Sequence, residues 1–269
     1  MTSVLDNPRS PRVRAVAKLA RKTARSETGL FLLEGPQAVG EALRWRGELV
    51  VELYATPGAL ERFPEIRTAA SRGQREVEFV TEQVLDSMAD TVTPQGFVAV
   101  CRQFPTSVRD ILAAAPRLIA VLEEVRDPGN AGTIIRAADA AGADAVIFSG
   151  RTVDLYNPKV VRSTTGSLFH LPVAVGVELA DVLERVRAAG MQVLAADSRG
   201  EDLRQARSGS LLTAPTAWLF GNEARGLADS AVQLADRVLA VPIYGQAESL
   251  NLSTAASVCL YESAFSQCS

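Results

Sequence analysis

The sequence is poor in the residues that most metal and redox sites require. It holds one histidine, His170, and three cysteines, Cys101, Cys259 and Cys268. A single histidine excludes any site that needs two, such as an HExxH zinc site, and leaves a His-dependent triad only that residue to use. The cysteine spacings match neither a metal-binding CxxC pair nor a disulfide framework, so all three read as reduced and structural. No metal is expected. No run approaches the roughly 20 apolar residues that span a bilayer, and no early basic stretch leads into an apolar run long enough for a signal peptide. A soluble, cytoplasmic protein with no membrane partner is therefore expected. The GxGxxG turn of nicotinamide-dependent dehydrogenases is absent. Gly221 and Gly226 have P-loop spacing, but Leu227 stands where the phosphate-binding lysine belongs, which argues against a nucleotide triphosphatase.

What is present is a long, apolar chain. Its 269 residues, 47% of them apolar, exceed one average domain and can bury two cores. The net charge of −3 argues against a nucleic-acid partner, yet it is unevenly spread. Seven basic residues lie between Arg9 and Arg25 with no acid among them. Val13, Val16, Ala17 and Ala20 recur at helical spacing, which predicts one helix over 12–25 with Arg14, Lys18, Arg21 or Lys22, and Arg25 on its other face. That face is either solvated or a contact for phosphates.

Strands at 31–34, 49–54, 77–80 and 97–101, with helices at 36–45, near 58–72 and after Thr81, predict a small α/β/α sandwich. The polar stretch Gln103-Phe-Pro-Thr-Ser-Val108 suits a linker, giving domains at 1–104 and 105–269. The second domain opens with the apolar run Arg117–Leu122, as expected of a strand covered on both faces. Helices at about 130–142, 157–166, 178–189, 228–235 and 250–264 then alternate with strands at 145–148, 171–175, 192–196, 217–220 and 238–241. That alternation predicts a mostly parallel sheet with ligands beyond the carboxyl ends of its strands.

Three segments could carry chemistry. In Glu123-Glu-Val-Arg-Asp-Pro-Gly-Asn-Ala-Gly-Thr-Ile-Ile-Arg136, Gly129 and Gly132 allow close approach of a ligand and the helix start favours an anion. Asn130 is either an N-cap or a site residue, and its position alone does not choose. In Trp218-Leu-Phe-Gly-Asn-Glu-Ala-Arg-Gly-Leu227, a buried strand delivers Glu223 to a glycine-bearing loop. In Val241-Pro-Ile-Tyr-Gly-Gln-Ala-Glu-Ser-Leu-Asn-Leu-Ser-Thr254, the residues Ser249, Asn251, Ser253 and Thr254 crowd a helix entrance that needs only one cap.

Together these segments resemble, in order and spacing over about residues 117–264, the signature motifs of the SpoU/TrmH branch of SPOUT methyltransferases. The resemblance implies an α/β fold with a deep C-terminal trefoil knot, against the general rule that chains are unknotted. It also implies a homodimer with active sites at the subunit interface, and transfer of a methyl group from S-adenosylmethionine to an RNA ribose 2′-hydroxyl. Asn130, Arg136, Glu223, Ser249 and Asn251 stand at the family's functional positions without substitution. The cofactor is expected near Leu219, Phe220, Gly221, Val241, Ile243 and Leu250. Arg136 is expected to act on the 2′-oxygen, Asn130 and Glu223 to orient it and the ribose, and Ser249 and Asn251 to shape the cofactor pocket.

The first hundred residues, with Leu30-Phe-Leu-Leu-Glu-Gly-Pro-Gln-Ala-Val39 as the best match, look similar to the family's L30e-like substrate-binding domain. Arg14, Lys18, Arg21, Lys22 and Arg25 would contact the RNA. Such a domain implies a large structured RNA, 23S rRNA rather than tRNA. The rival is a catalytically silent RNA-binding protein for ribosome assembly, against which the five intact positions count.

Overall fold

The computed structural model describes residues 4–267. In chain order its elements are α1 (Pro11–Lys18), α2 (Lys22–Thr28), β1 (Leu30–Glu34), α3 (Pro36–Arg46), β2 (Val50–Ala55), α4 (Pro57–Arg62), α5 (Pro64–Arg72), β3 (Glu78–Phe79), α6 (Glu82–Met88) and β4 (Phe97–Arg102). They continue as α7 (Val108–Ala113), β5 (Leu118–Glu123), α8 (Pro128–Ala140), β6 (Ala145–Ser149), α9 (Pro158–Thr164), β7 (Val173–Val177), α10 (Leu179–Ala188) and β8 (Gln192–Asp202). The last are α11 (Leu203–Ser208), β9 (Thr216–Phe220), α12 (Asp229–Val232), β10 (Arg237–Ala240) and α13 (Leu252–Gln267). Six helices, among them α3 and α8, carry proline in their first turn, where its missing N–H costs nothing. No helix among the described residues is long and apolar enough to cross a membrane.

The chain forms two compact units. One runs to Phe104 and also takes in Asp154–His170; the other comprises Pro105–Val153 and the residues from Leu171 on. The first unit therefore includes, besides the residues before the polar stretch at 103–108, a later excursion that carries α9.

In the first unit the strands are ordered β1-β4-β2-β3, with β4 antiparallel to both of its neighbours. One face packs Leu32, Tyr54, Val98 and Val100 against Val13, Val16 and Leu19 and against Val84, Leu85 and Met88 of α6. The single helix expected over 12–25 is instead two. Leu19, Ala20 and Arg21 donate backbone bonds only three residues back, ending α1, and Leu19 turns into the core. Arg25 fills the break: its Nη1 donates to the carbonyls of Leu19 and Ala20, each at 2.8 Å. Its Nε and Nη2 bind Asp154 at 3.0 and 2.6 Å, and the residue is 2% exposed. The helix expected over 58–72 is likewise divided, because Pro64 disfavours the helical conformation at Phe63.

In the second unit six strands in the order β10-β8-β9-β5-β6-β7 pair in parallel throughout. One face buries Ile119, Val121, Ile147, Val193 and Leu219 against α10 and α7. Helix α13 packs beside α8 and against β5 and β9. It is fixed there by Trp218 Nε1, which donates to Ser263 Oγ at 2.8 Å with both residues fully buried. A satisfied buried hydrogen bond of this kind is worth about 1 kcal/mol net, and its loss on one side costs more.

Strand β8 runs six residues beyond the expected end at 196. Its charged continuation does not read as strand, but it pairs with β10 after a register shift between Val238 and Leu239. Gly200 makes this possible, since a Cβ there would lie 2.5 Å from the Val238 backbone. Cys101 and Cys259 are buried without a disulfide, burial pushing the Cys101 thiol up to about 12 and raising Cys259 as well. Cys268 lies outside the described residues.

Candidate active site

At the carboxyl ends of β5 and β9 the three motif segments meet. Buried β9 ends at Phe220, and Gly221 then passes so close to the next turn that a Cβ would sit 2.5 Å from the Gly226 carbonyl carbon. The loop closes on itself through paired backbone bonds between Asn222 and Gly226. This tight turn projects Glu223 toward the start of α8. There Glu223 Oε1 accepts from the Asp127 N–H at 2.9 Å and from Asn130 Nδ2 at 3.4 Å, and Oε2 accepts from the Arg126 N–H at 3.2 Å.

The third segment completes the chain of contacts. Asn251 Nδ2 donates to Asn130 Oδ1 at 3.0 Å. Asn251 Oδ1 meanwhile accepts from the backbone N–H groups of Ser253 and Thr254, at 2.9 and 3.3 Å, and from Ser253 Oγ. Asn251 therefore caps α13 with one side-chain atom and reaches the first motif with the other. Asn130 is not the cap of α8; Asp127 is, its Oδ1 accepting from the Asn130 N–H at 2.8 Å. That carboxylate also occupies the helix start that the sequence left open to an anion.

Beside this chain lies a cleft of about 610 Å³. Gly221, Val241, Ile243 and Leu250 line it together with Glu223 and Ser249. Leu219 and Phe220 are fully buried in β9, behind the glycine turn. Arg136 stands apart: it is exposed on α8 and makes no side-chain hydrogen bond or ion pair among the described residues. The contact expected between it and Asn130 or Glu223 is not made. Ser249 is exposed on the cleft wall.

Sequence reasoning missed Asp197 and Arg199, which also line the cleft. Arg199 donates through Nε and its backbone N–H to Asp197 Oδ1, at 2.8 and 3.0 Å, and these bonds hold the Asp197 carboxyl below its usual range. The Asp-Ser-Arg-Gly run after an apolar strand was the available signal. His170 lies in the first unit, with Nε2 3.0 Å from Glu41 Oε2. Of the five basic residues expected to meet RNA, Arg14, Lys18, Arg21 and Lys22 are exposed. Arg25 is not: its guanidinium is consumed by Asp154 and the end of α1, so it offers no free charge to a phosphate. Among the described residues no cluster of histidine, cysteine or acidic side chains is placed to hold a metal ion.

Residues 117–261 match the SpoU rRNA Methylase family and residues 32–107 match the RNA 2′-O ribose methyltransferase substrate-binding family. The chain is 34% identical over 262 residues to the 23S rRNA (guanosine(2553)-2′-O)-methyltransferase RlmP of Bacillus subtilis, covering 96% of this chain and 97% of that protein. It is 33% identical to the 23S rRNA (uridine(2479)-2′-O)-methyltransferase of Streptomyces viridochromogenes over 91% of this chain and 86% of that one. Among solved structures, the AdoMet-bound rRNA methyltransferase from Sinorhizobium meliloti superposes with a TM-score of 0.82 at 32% identity, over 97% of both chains.

Proposed function

The chain belongs to the SpoU rRNA methylase family, and on that premise we propose that it methylates a ribose 2′-hydroxyl of 23S rRNA, using S-adenosylmethionine. It is an RNA 2′-O-ribose methyltransferase, and its fold is that of the SPOUT enzymes: a small α/β unit and a parallel-sheet catalytic unit. The observation that carries the reading is the hydrogen-bonded run Asn251–Asn130–Glu223 at the edge of the cleft.

The cleft suits the cofactor. Its volume falls within the range of small-molecule sites, and its apolar wall of Val241, Ile243 and Leu250 faces a turn too tight for any residue but glycine at Gly221. These residues, with the backbone of Leu219 and Phe220, would hold S-adenosylmethionine, which when bound supplies an electrophilic methyl group. The remaining work falls to the chain. A ribose hydroxyl is a poor nucleophile at neutral pH and needs its developing negative charge stabilised. Arg136, whose guanidinium makes no hydrogen bond or ion pair among the described residues, takes that part. Glu223 already accepts three hydrogen bonds from the first motif, so it positions Asn130 and the α8 turn, and the proton released from the hydroxyl passes to solvent water. Asn130 and Asn251 orient the ribose, and Ser249 shapes the cofactor wall.

Arg14, Lys18, Arg21 and Lys22 supply the exposed positive surface for rRNA, without Arg25. A cytoplasmic place of action accords with that substrate. A homodimer is supported by Tyr261 and Phe265, exposed aromatic residues of α13 whose rings lie 5.6 Å apart, with Tyr261 Oη donating to the Ala140 carbonyl of α8.

The test is incorporation of labelled methyl groups from S-adenosylmethionine into unmodified 23S rRNA and tRNA, with the sites mapped by resistance to alkaline cleavage. Label at one alkali-resistant linkage of 23S rRNA supports the proposal, and label in tRNA alone rejects the substrate. An absence of both label and cofactor binding returns the silent RNA-binding reading.

A further inference from the structure

Two arginines outside the expected site converge on one carboxylate beside it. Arg225 Nη2 lies 2.7 Å and Arg126 Nη2 3.7 Å from the same oxygen, Glu124 Oε2. The arginines come from different motif segments, yet both are anchored through their backbones to the loop that carries Glu223. The Arg126 N–H donates to Glu223 Oε2, and the Arg225 N–H donates to Asn222 Oδ1 at 3.2 Å. Asn222 in turn donates from Nδ2 to the Glu124 carbonyl at 2.9 Å.

The arrangement does not pay in stability. Exposed ion pairs contribute little, and the two arginine side chains are 57% and 66% exposed. Glu124 nevertheless adopts φ +52°, a left-handed backbone unfavourable for a residue with a Cβ. Such a conformation, strapped in place by the Asn222 bond and by the Glu124 N–H donating to the Ser149 carbonyl, belongs where function demands it. Two guanidinium groups sharing one carboxylate keep a net positive charge, present unused N–H donors to solvent, and are already held in place. Arginine forks of this kind suit the paired oxygens of a phosphate.

Resting on the methyltransferase reading of the cleft, we propose that Arg126 and Arg225 form a clamp for a backbone phosphate of the RNA strand that carries the target ribose. Every internal ribose has a phosphodiester on each side, so an enzyme that holds the sugar at Asn130 and Asn251 meets a phosphate close by. The other source of paired anionic oxygens is the carboxylate of the cofactor's methionine, because Arg225 also lines the cleft. The two sources part in their response to salt, since displacement of counterions belongs to RNA alone.

The test uses the full chain with Arg126→Gln, Arg225→Gln and both together. Binding to an unmodified 23S rRNA transcript is measured across salt concentrations, and S-adenosylmethionine binding is measured by calorimetry. The slope of log affinity against log salt is expected to shrink by about 0.7–0.9 per arginine lost, with cofactor affinity unchanged. A loss of cofactor affinity at constant slope would overturn the clamp in favour of the methionine carboxylate, and no change in either quantity would reduce the cluster to surface ion pairs. Methyl transfer by the unaltered chain is read in parallel. Lack of product there counts against the function, whereas an unchanged slope with product intact counts against the clamp alone.

Discussion

Asn251, one residue before α13, donates its side-chain amide to Asn130 in the first turn of α8, across 121 residues of sequence. The bond ties the third motif segment to the first, and Glu223 ties the second to the same asparagine. Residues that share partners in this way act as a unit, so their removal is not additive. Asn130→Ala and Asn251→Ala should each reduce methyl transfer, and the double variant should lose less than the two losses combined, with a coupling of about 0.5–3 kcal/mol. A double-mutant cycle on kcat/KM measures it, and strict additivity would show that the contact is idle during turnover.

Arg136 is exposed and makes no side-chain hydrogen bond or ion pair among the described residues, so its loss should leave the cleft intact. Arg136→Ala is expected to lower turnover about 10²–10³-fold, the range for removing one group that stabilises developing charge, while S-adenosylmethionine affinity stays put. Single-turnover kinetics beside a binding titration separate the two. A large fall in cofactor affinity would assign the arginine to the cofactor and not the ribose.

Arg25 and its exposed neighbours should behave in opposite ways. Arg25→Ala leaves Asp154 and the end of α1 without their partner, and breaking a buried pair typically costs about 3–5 kcal/mol. Replacing Arg14, Lys18, Arg21 and Lys22 with Gln should leave the melting temperature alone and flatten the salt dependence of RNA binding. Denaturant unfolding of the first variant and RNA titrations of the second check both statements; a stable Arg25→Ala protein would contradict the buried role.

Glu123 gives a pH signature. Burial raises its carboxyl above the ordinary value of 4.5, partly offset by the hydroxyl of Ser149 donating at 2.5 Å. The folded chain therefore holds this proton more tightly than the unfolded chain does, and stability falls as pH rises from the unfolded value through the folded one. Glu123→Gln cannot titrate, so its advantage over the natural chain should appear above pH 4.5 and vanish below it. Urea midpoints at a series of pH values would reveal the trend, and an advantage that grows toward acid would reverse the assignment.

The strands were legible because buried parallel strands are continuous apolar runs, and Leu118–Glu123 and Thr216–Phe220 lie close to where the sequence put them. The helix over 12–25 misled because Val13, Val16, Ala17 and Ala20 keep a helical period across a break made by a partner far away, Asp154. A local pattern cannot contain that contact. The motif residues Asn130, Glu223 and Asn251 were all named from the sequence and do lie together, but their roles divided differently in three dimensions. Asp127 holds the cap, one of the two parts the sequence left open for Asn130, and Arg136 makes no side-chain hydrogen bond among the described residues to the neighbours expected to orient it. Arg126, Arg225 and Glu124 went unremarked because each is an ordinary surface charge until two motif segments bring them to one point.

The excursion Asp154–His170 also bears on how the chain is made. A nascent chain released as far as Phe104 carries all four strands of its first sheet but lacks the carboxylate for Arg25 and the hydroxyl of Tyr156 that receives the Phe104 N–H. That unit cannot mature during synthesis until β5, α8 and β6 of the second have left the ribosome. A fragment cut at Phe104 would leave the Arg25 guanidinium without Asp154 and the Phe104 N–H without the Tyr156 hydroxyl, so a first unit made alone needs the later segment Asp154–His170 supplied with it.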